Sequence, residues 1–441
     1  MYDLIVIGGG PGGYHSAEYA AKKGMSVALF EKDALGGTCL NRGCIPTKSF
    51  LHSAKLAVYN AQGEHNLEHT VKEKDAVVEI LVGGIAAGLK KRKVDIFPFE
   101  ASVGKKGNAY VVKGGTVEAE AKHILIATGS LPIIPPIEGL KQGIDKGIVL
   151  TSNEMLDMKE VPQKLFIVGG GVVGFELACC YNDFGSDVTV IELTDEVLGV
   201  GDKEISDVFC TAMEARGIRV FRSCSLLRVE GNKAICSYNS DEAVFEFDKI
   251  LICIGRTPNT SINGLQTLGV NMDGKYIKVG SNFRTNVHDV YAVGDVVNTA
   301  ALASVAIREG EVAVNDMLGI KDYINYEAVC STVFTEPEVA VIGMTEEQAK
   351  RNGLEIMVKK LPINFSGRSV AENGLTNGLC KLIVDSKREV LIGASMVCSY
   401  ATEISPILIL AIQNKIPISS LLRMVFPHPT VGEIIHDVLE T

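Results

Sequence analysis

The sequence predicts an α/β chain built from two copies of one strand–turn–helix unit, one inserted in the other, followed by a C-terminal α+β segment. Three observations predict it. YDLIVIGGGPGG at 2–13 is echoed by QKLFIVGGGVVG at 163–174. Each copy leads to a second apolar strand that ends in an acid, VALFEK with Glu31 and VTVIEL with Glu192. Each copy closes on a matching strand, ILIATG at 124–129 and ILICIG at 250–255. The register between copies is constant: Gly8 to Gly169 and Glu31 to Glu192 are both 161 positions apart.

The repeated G-x-G-x-x-G carries a physical meaning. The first glycine makes a tight turn, the second lets backbone approach a pyrophosphate, and the third lets helix pack on strand. The helix N-terminus then holds the phosphate charge. A lone fingerprint is weak, but two with identical spacing to an acid predict two Rossmann-like dinucleotide-binding domains. The candidate residues are Gly8, Gly10, Gly13 and Glu31 in the first, and Gly169, Gly171, Gly174 and Glu192 in the second. An acid at Glu192 suits a free ribose 2′-hydroxyl, whereas a 2′-phosphate wants Arg or Lys.

Between the first acid and its closing strand lies GGTCLNRGCIPTK, Gly36 to Lys48. The first unit needs 121 positions from first glycine to closing glycine, the second only 86. The excess roughly matches this segment and the helical stretch after it. Cys39 and Cys44 are five residues apart. On an ideal helix that spacing separates Cα atoms by roughly 8–9 Å, and a disulfide needs less than about 7 Å. Cys39 is therefore expected ahead of the helix, or the helix is distorted, which Gly43 permits; Pro46 suits a first turn. Two thiols beside a bound redox cofactor predict a disulfide made and broken in turnover.

After Arg256 the turn-rich TPNTSINGL marks a boundary. VYAVGDVV at 290–297 reads as a strand ending in Gly294 and Asp295. From about Ala328 the pattern becomes antiparallel strands, with helices at ISPILILAIQNK and ISSLLRMV. The expected domains are 1–145 with the redox disulfide, 146–262 for the second nucleotide unit, 263–327 returning to the first, and 328–441 as the last domain.

Composition sets limits. The 441 residues carry a net charge of −10 and 22% charged residues. An acidic chain is a poor ligand for nucleic acid or an anionic membrane, since phosphate binding needs a basic face. PILILAI at 406–412 is too short to span a bilayer. The strand-like start predicts no leader peptide. Eleven scattered cysteines read as a reduced, cytoplasmic protein with one functional pair and no metal site; adjacent Cys179 and Cys180 read as small core residues.

These motifs together resemble the FAD-dependent pyridine nucleotide–disulfide oxidoreductases, over essentially the whole chain and in order. GGTCLNRGCIPTK is similar to that family's active-site signature, and HPTVGE at 428–433 to its terminal His-Pro-Thr-x-x-Glu. The pattern looks most like the members that oxidise dihydrolipoamide. The resemblance implies FAD in the first unit, NAD in the second, and a last domain that pairs two copies. It implies that Thr128, Gly129 and Ser130 form a flavin turn, that Asp295 faces the ribityl chain, and that Leu302, Ala303 and Ser304 line the pyrimidine end. Ala101 falls at the adenosine end. Lys48 approaches flavin N5, and Glu176 pairs with it near the nicotinamide. Leu227 and Gly255 join the NAD site. Cys44 is implied as the thiolate next to the flavin, Cys39 as the exchanging thiol, His428 as acid/base and Glu433 as its orienting group, with the histidine lent by the other copy of a homodimer. A lipoyl-bearing protein of a 2-oxo acid dehydrogenase or glycine cleavage complex is the implied partner.

Two departures stand out. The dihydrolipoamide-oxidising members usually read LAHKA where this chain has LASVA, Leu302 to Ala306. Arg42 sits where a small apolar residue is common, its charge either beside Cys44 or solvated. The competing functions are a glutathione-type or other small-disulfide reductase, disfavoured by the acids of ELTDEVL, and a non-catalytic NADH-sensing flavoprotein, disfavoured by the retained Cys39, Cys44, Lys48, His428 and Glu433.

Overall fold

The computed structural model describes residues 1–59, 66–107 and 109–441. The chain divides into two compact units.

The first unit comprises Met1–Ser49, His69–Ile133 and Gly255–Ile324. Its core is a seven-stranded sheet. Asp95–Phe97, Val27–Phe30, Tyr2–Ile7 and Val117–Ile126 lie side by side and parallel, and Val290–Ala292 also pairs with Val117–Ile126. Ala109–Gly114 and Ser102–Lys106 continue the sheet antiparallel. Leu4, Ile5 and Val6 are fully buried, as expected of a parallel strand covered on both faces. One face packs Ile5, Phe30, Ile124 and Val290; the other packs Leu4, Leu29, Leu125 and Val312. The helix Ala303–Met317 lies against the fingerprint helix Pro11–Lys22. The strand expected through Asp295 stops at Ala292. A 3₁₀ turn, Gly294–Val296, takes over, because the Gly294 N–H bonds the buried Glu309 carboxylate at 2.7 Å instead of a neighbouring strand.

The second unit comprises Phe50–Glu68, Ile134–Ile254 and Asn325–Thr441. Its parallel sheet orders Arg219–Phe221, Asp187–Ile191, Lys164–Val168, Lys249–Ile252 and Val149–Leu150. The meander Cys224–Glu230, Lys233–Tyr238 and Asp241–Glu246 follows. The C-terminal segment forms a five-stranded antiparallel sheet: Cys330–Val333, Glu338–Gly343, Val390–Cys398, Leu379–Asp385 and Ile356–Pro362. The helices Ala401–Gln413 and Ile434–Glu440 pack on it. Leu379–Asp385 is buried along its whole length. The fold is therefore α/β with a C-terminal α+β portion, and the two parallel sheets repeat one topology. Closing strands join opening strands in the same way, Ile5 opposite Ile124 and Phe166 opposite Ile250.

The chain leaves the first unit after Ile133 and returns at Gly255. Among the described residues, no helix is long and apolar enough to cross a membrane.

Candidate active site

The first glycine turn is built as its sequence requires. Gly8 has φ +105, and a β-carbon there would lie 2.3 Å from Ala127 O. A β-carbon on Gly13 would lie 1.8 Å from Gly8 O. Only glycine fits either position. Gly10 is different: it caps the helix Pro11–Lys22 with no side-chain cap, and a β-carbon there would come no nearer than 3.9 Å to Gly37 Cα. The space beside Gly10 and the uncapped helix end form a cradle that suits a phosphate. Glu31 sits at its edge, Oε2 accepting from Gly9 N at 2.6 Å and Oε1 from Asp33 N at 2.8 Å.

Ala101 is buried. In the turn after the closing strand, Thr128 Oγ1 donates to Asn259 O at 2.7 Å, and Gly129 (φ +67) has open space where a side chain would go. Ser130 Oγ donates to Asp295 Oδ2 at 2.6 Å. Sequence reasoning passed over Arg256, which donates from Nε to Ser130 Oγ at 2.6 Å and from Nη2 to Ser130 O at 2.7 Å. The signal was its place directly after the closing glycine of ILICIG. Glu309, fully buried and bonded to Gly294 N, was missed too. Leu302 caps the helix Ala303–Met317 without a side-chain bond, and Ser304 is exposed in its first turn.

The cysteine segment is two helices. Gly37–Arg42 ends at Gly43, and Cys44–Tyr59 begins directly after. This distortion brings together thiols that a continuous helix would hold apart: Cys39 is hydrogen-bonded to Cys44. That bond first, then burial, then the charge of Cys44 hold the Cys39 thiol far above its ordinary pKa, while Lys48 pulls it down. The Cys39 thiol is thus held in its protonated form. Burial lowers the Arg256 pKa, against the opposing charges of Asp295 and Cys44. Arg42 does not serve the thiols as its only partner, because its guanidinium pairs with Asp33 at 2.5 Å.

The second glycine turn lies in the second unit and repeats the first. Gly169 has φ +116, and a β-carbon there would be 2.5 Å from Cys253 O; one on Gly174 would be 2.1 Å from Gly169 O. Gly171 caps Val172–Asp183 without a side-chain bond, and nothing lies within 4 Å of its missing β-carbon. Glu192 Oε2 accepts from Gly170 N at 2.8 Å, and Oε1 accepts from Thr194 N at 3.0 Å. Both cradles fit the phosphates of a dinucleotide. Glu176 is 3% exposed, and its Oε1 accepts from Phe334 N at 3.0 Å, a backbone bond the sequence did not indicate. Leu227 is 42% exposed on its strand. Gly255, expected with the nucleotide of the second unit, is the first residue of the returning first unit, where its O accepts from Ile133 N at 3.1 Å.

His428 and Glu433 are also in the second unit. His428 Nδ1 lies 3.0 Å from Glu433 Oε1, and Glu433 Oε2 accepts from Thr430 N at 2.7 Å. The Thr430 N–H, then the His428 bond, hold the Glu433 carboxyl below the usual carboxylate range. The imidazole is 82% exposed, so its far nitrogen is open to a reactant. Among the described residues, no group of three His, Cys, Asp or Glu side chains could hold a metal ion.

Paired nucleotide cradles and a hydrogen-bonded dithiol define a dinucleotide-dependent disulfide oxidoreductase. The chain belongs to the pyridine nucleotide–disulphide oxidoreductase family, whose pattern matches residues 2–310, with the family's dimerisation domain matching 329–439. Among curated relatives, the dihydrolipoyl dehydrogenase of Acholeplasma laidlawii is 41% identical, covering 71% of this chain and 95% of that protein. The dihydrolipoyl dehydrogenase of Mycoplasma pneumoniae is 34% identical, covering 99% of this chain and 97% of the relative. Among solved structures, LpdA of Mycobacterium tuberculosis superposes with a TM-score of 0.90 at 27% identity, covering 99% of both chains. The HOCl-induced flavoprotein disulfide reductase RclA of Escherichia coli superposes at 0.88 and 28% identity, covering 100% of this chain and 99% of that one.

Proposed function

We propose that this chain is a dihydrolipoyl dehydrogenase that oxidises protein-bound dihydrolipoyl groups through a Cys39–Cys44 disulfide and reduces NAD⁺. It is an FAD- and NAD-dependent oxidoreductase acting on sulfur groups. The observation that carries the reading is the hydrogen-bonded thiol pair in the unit that bears the first glycine cradle. The two cradles take different nucleotides, FAD over Gly10 and NAD over Gly171.

The chain's own residues supply the thiol chemistry. A dihydrolipoyl thiol gives its proton to His428 Nε2 and attacks Cys39 of the disulfide, so Cys44 leaves as thiolate. The second lipoyl thiol attacks the mixed disulfide, forming the lipoyl disulfide and releasing Cys39, which takes up a proton. Exchange needs a thiolate, so a base of near-neutral pKa is the fitting partner. Glu433 fixes the imidazole's orientation through the Nδ1–Oε1 bond. Lys48 and Arg256 place positive charge toward the Cys44 thiolate. FAD held over Gly10 would supply the two-electron redox chemistry that links the thiols to NAD⁺. The Ser130–Asp295 pair and Glu31 present acceptors to ribityl and ribose hydroxyls, and Glu192 does so for NAD. Glu176 and Leu227 border the NAD in this reading.

The dimerisation domain supports a homodimer, with each copy's His428 completing the other's thiol site. Mixing an inactive Cys39→Ser chain with an inactive His428→Ala chain tests this. Random exchange makes half the dimers mixed, each with one intact site, so about a quarter of the original activity returns with dihydrolipoamide and NAD⁺. No recovery despite proven exchange of subunits rejects the shared site. Faster turnover of glutathione disulfide with NADPH than of lipoamide with NADH rejects the substrate.

A further inference from the structure

Lys381 is the most deeply buried charge in the C-terminal sheet. It lies on the strand Leu379–Asp385 with 3% of its side chain exposed. Its Nζ meets Asp202 at 3.0 Å, Glu204 at 3.2 Å and Glu346 at 3.2 Å. Burial works against its charge, but the bond and charge of Asp202, with the two glutamates, raise its pKa above the ordinary lysine value. Glu204 and Glu346 have outer partners as well, Lys360 and Lys350, each at 2.5 Å. Asp202 is itself only 4% exposed. Taking such charges out of water is costly, and apolar residues would fill the space at least as stably. What the cluster adds is a single permitted position for Asp202.

That position matters because of what Asp202 ends. Glu192 begins the loop 192–202, and Asp202 closes it as the N-cap of Lys203–Ala215, accepting from Ile205 N at 3.4 Å. The loop folds back on the glycine turn. Leu198 N donates to Gly170 O at 2.7 Å, and Val197 N donates to Ser206 Oγ at 2.8 Å. Leu198 adopts φ +66, with Gly199 and Gly201 also left-handed, a path that needs anchors at both ends. Gly170 N in turn holds the Glu192 carboxylate. The acid, the glycine turn, the loop and the helix cap form one hydrogen-bonded circuit, and Lys381 pins its exit from a different sheet of the same unit.

We propose that Lys381 is a positioning residue for the nucleotide site. By fixing Asp202, it holds the 192–202 loop against the second glycine turn and so sets the affinity for the adenosine half of NAD. The inference rests on the reading of Glu192 and Gly171 as the NAD site. Neutralising Lys381 leaves a buried carboxylate uncompensated. Asp202 then turns toward water, the loop loosens, and Glu192 is no longer held in one place.

The test measures ADP-ribose binding by calorimetry on the flavin-loaded full chain. Separately, it measures the rate at which dihydrolipoamide reduces the flavin. Lys381→Met and Asp202→Asn are each expected to weaken ADP-ribose binding about fivefold and to change the dihydrolipoamide half-reaction less than twofold. Lys381→Arg, keeping the charge, is expected to bind as the original chain does. Asp202→Asn keeps the helix cap and the volume, so it decides the matter if Lys381→Met does not fold. Unchanged ADP-ribose affinity in the folded variants overturns the proposal, as does equal damage to both half-reactions, which marks a merely structural role. Failure of the unsubstituted chain to bind ADP-ribose rejects the NAD site itself and this inference with it.

Discussion

The two glycine turns are the same object used twice. In both, a left-handed glycine starts the turn, a carboxylate accepts from the next amide at 2.6 or 2.8 Å, and the third glycine touches the first one's carbonyl. In both, the middle glycine has room for a β-carbon, with nothing within 4 Å at Gly171 and only Gly37 Cα, at 3.9 Å, at Gly10. They differ in what the chain adds. The first turn gains the cysteine helices, whose Gly37 comes within reach of Gly10. In both, the loop after the acid is tied back to the turn, Gly36 N donating to Gly9 O at 2.8 Å and Leu198 N to Gly170 O at 2.7 Å; the second gains no thiols, but its loop is also held, through Asp202, by Lys381. The difference teaches that the cradle sets only the class of ligand. The inserted segments decide what each bound nucleotide does.

The largest expected effect lies in the first unit alone. Cys39→Ser and Cys44→Ser are each expected to cut dihydrolipoamide turnover at least about a thousandfold, since each removes a member of a group that acts as a unit. Only Cys39→Ser keeps a long-wavelength thiolate–flavin absorbance band. The reverse pattern means the two thiols exchange roles. Neither substitution is expected to alter ADP-ribose binding, and a change there breaks the separation of the two units.

The middle glycines sharpen the comparison further. Gly10→Ala and Gly171→Ala place a methyl group where there is room for it, so melting temperature changes little in either. Each is expected to lose about tenfold or more in affinity for its own nucleotide, roughly 1.4 kcal/mol. Gly10→Ala weakens flavin retention and spares ADP-ribose. Gly171→Ala does the reverse. Loss of both ligands from one substitution contradicts independent cradles.

Glu192 predicts a preference for NADH over NADPH of at least about tenfold in kcat/KM, about 1.4 kcal/mol, because its carboxylate repels a 2′-phosphate. Steady-state kinetics with both nucleotides check it, and Glu192→Ala is expected to narrow the ratio. The smallest effect concerns Glu433. Its carboxyl is held below the usual value of about 4.3, so its contribution to the fold is fully present above that value and fades only as pH falls through the lower folded value. Melting curves between pH 6 and about 3 are expected to show a shallower acid decline for Glu433→Gln than for the original chain.

Much of the site was legible because its requirements are local. Gly8, Gly13, Gly169 and Gly174 are demanded by backbone geometry within a few residues, and the 161-residue repeat made them visible twice. The five-residue cysteine spacing implied that Cys39 sits ahead of the helix or that the helix is distorted, and the break falls at Gly43. His428 and Glu433, five residues apart, meet within one turn. Residues that act across the chain were not legible in this way. Arg256 reaches Ser130 over 126 positions and Lys381 reaches Asp202 over 179, and no local pattern marks either. Glu176 was read as a cofactor neighbour, and its bond to Phe334 N reaches a residue 158 positions away.

The sequence by itself determined the two glycine turns and the constraint on the cysteine pair, because short-range sterics and helix geometry act within a few residues; the histidine–glutamate pair was read from the family resemblance. Tertiary structure alone decided which charges are buried and with whom. Burial of Lys381 and Asp202, and the clamp of Arg256 on Ser130 and Asp295, arise from strands that pack together only after distant segments meet. A charge taken out of water is held by whatever partners the finished fold supplies.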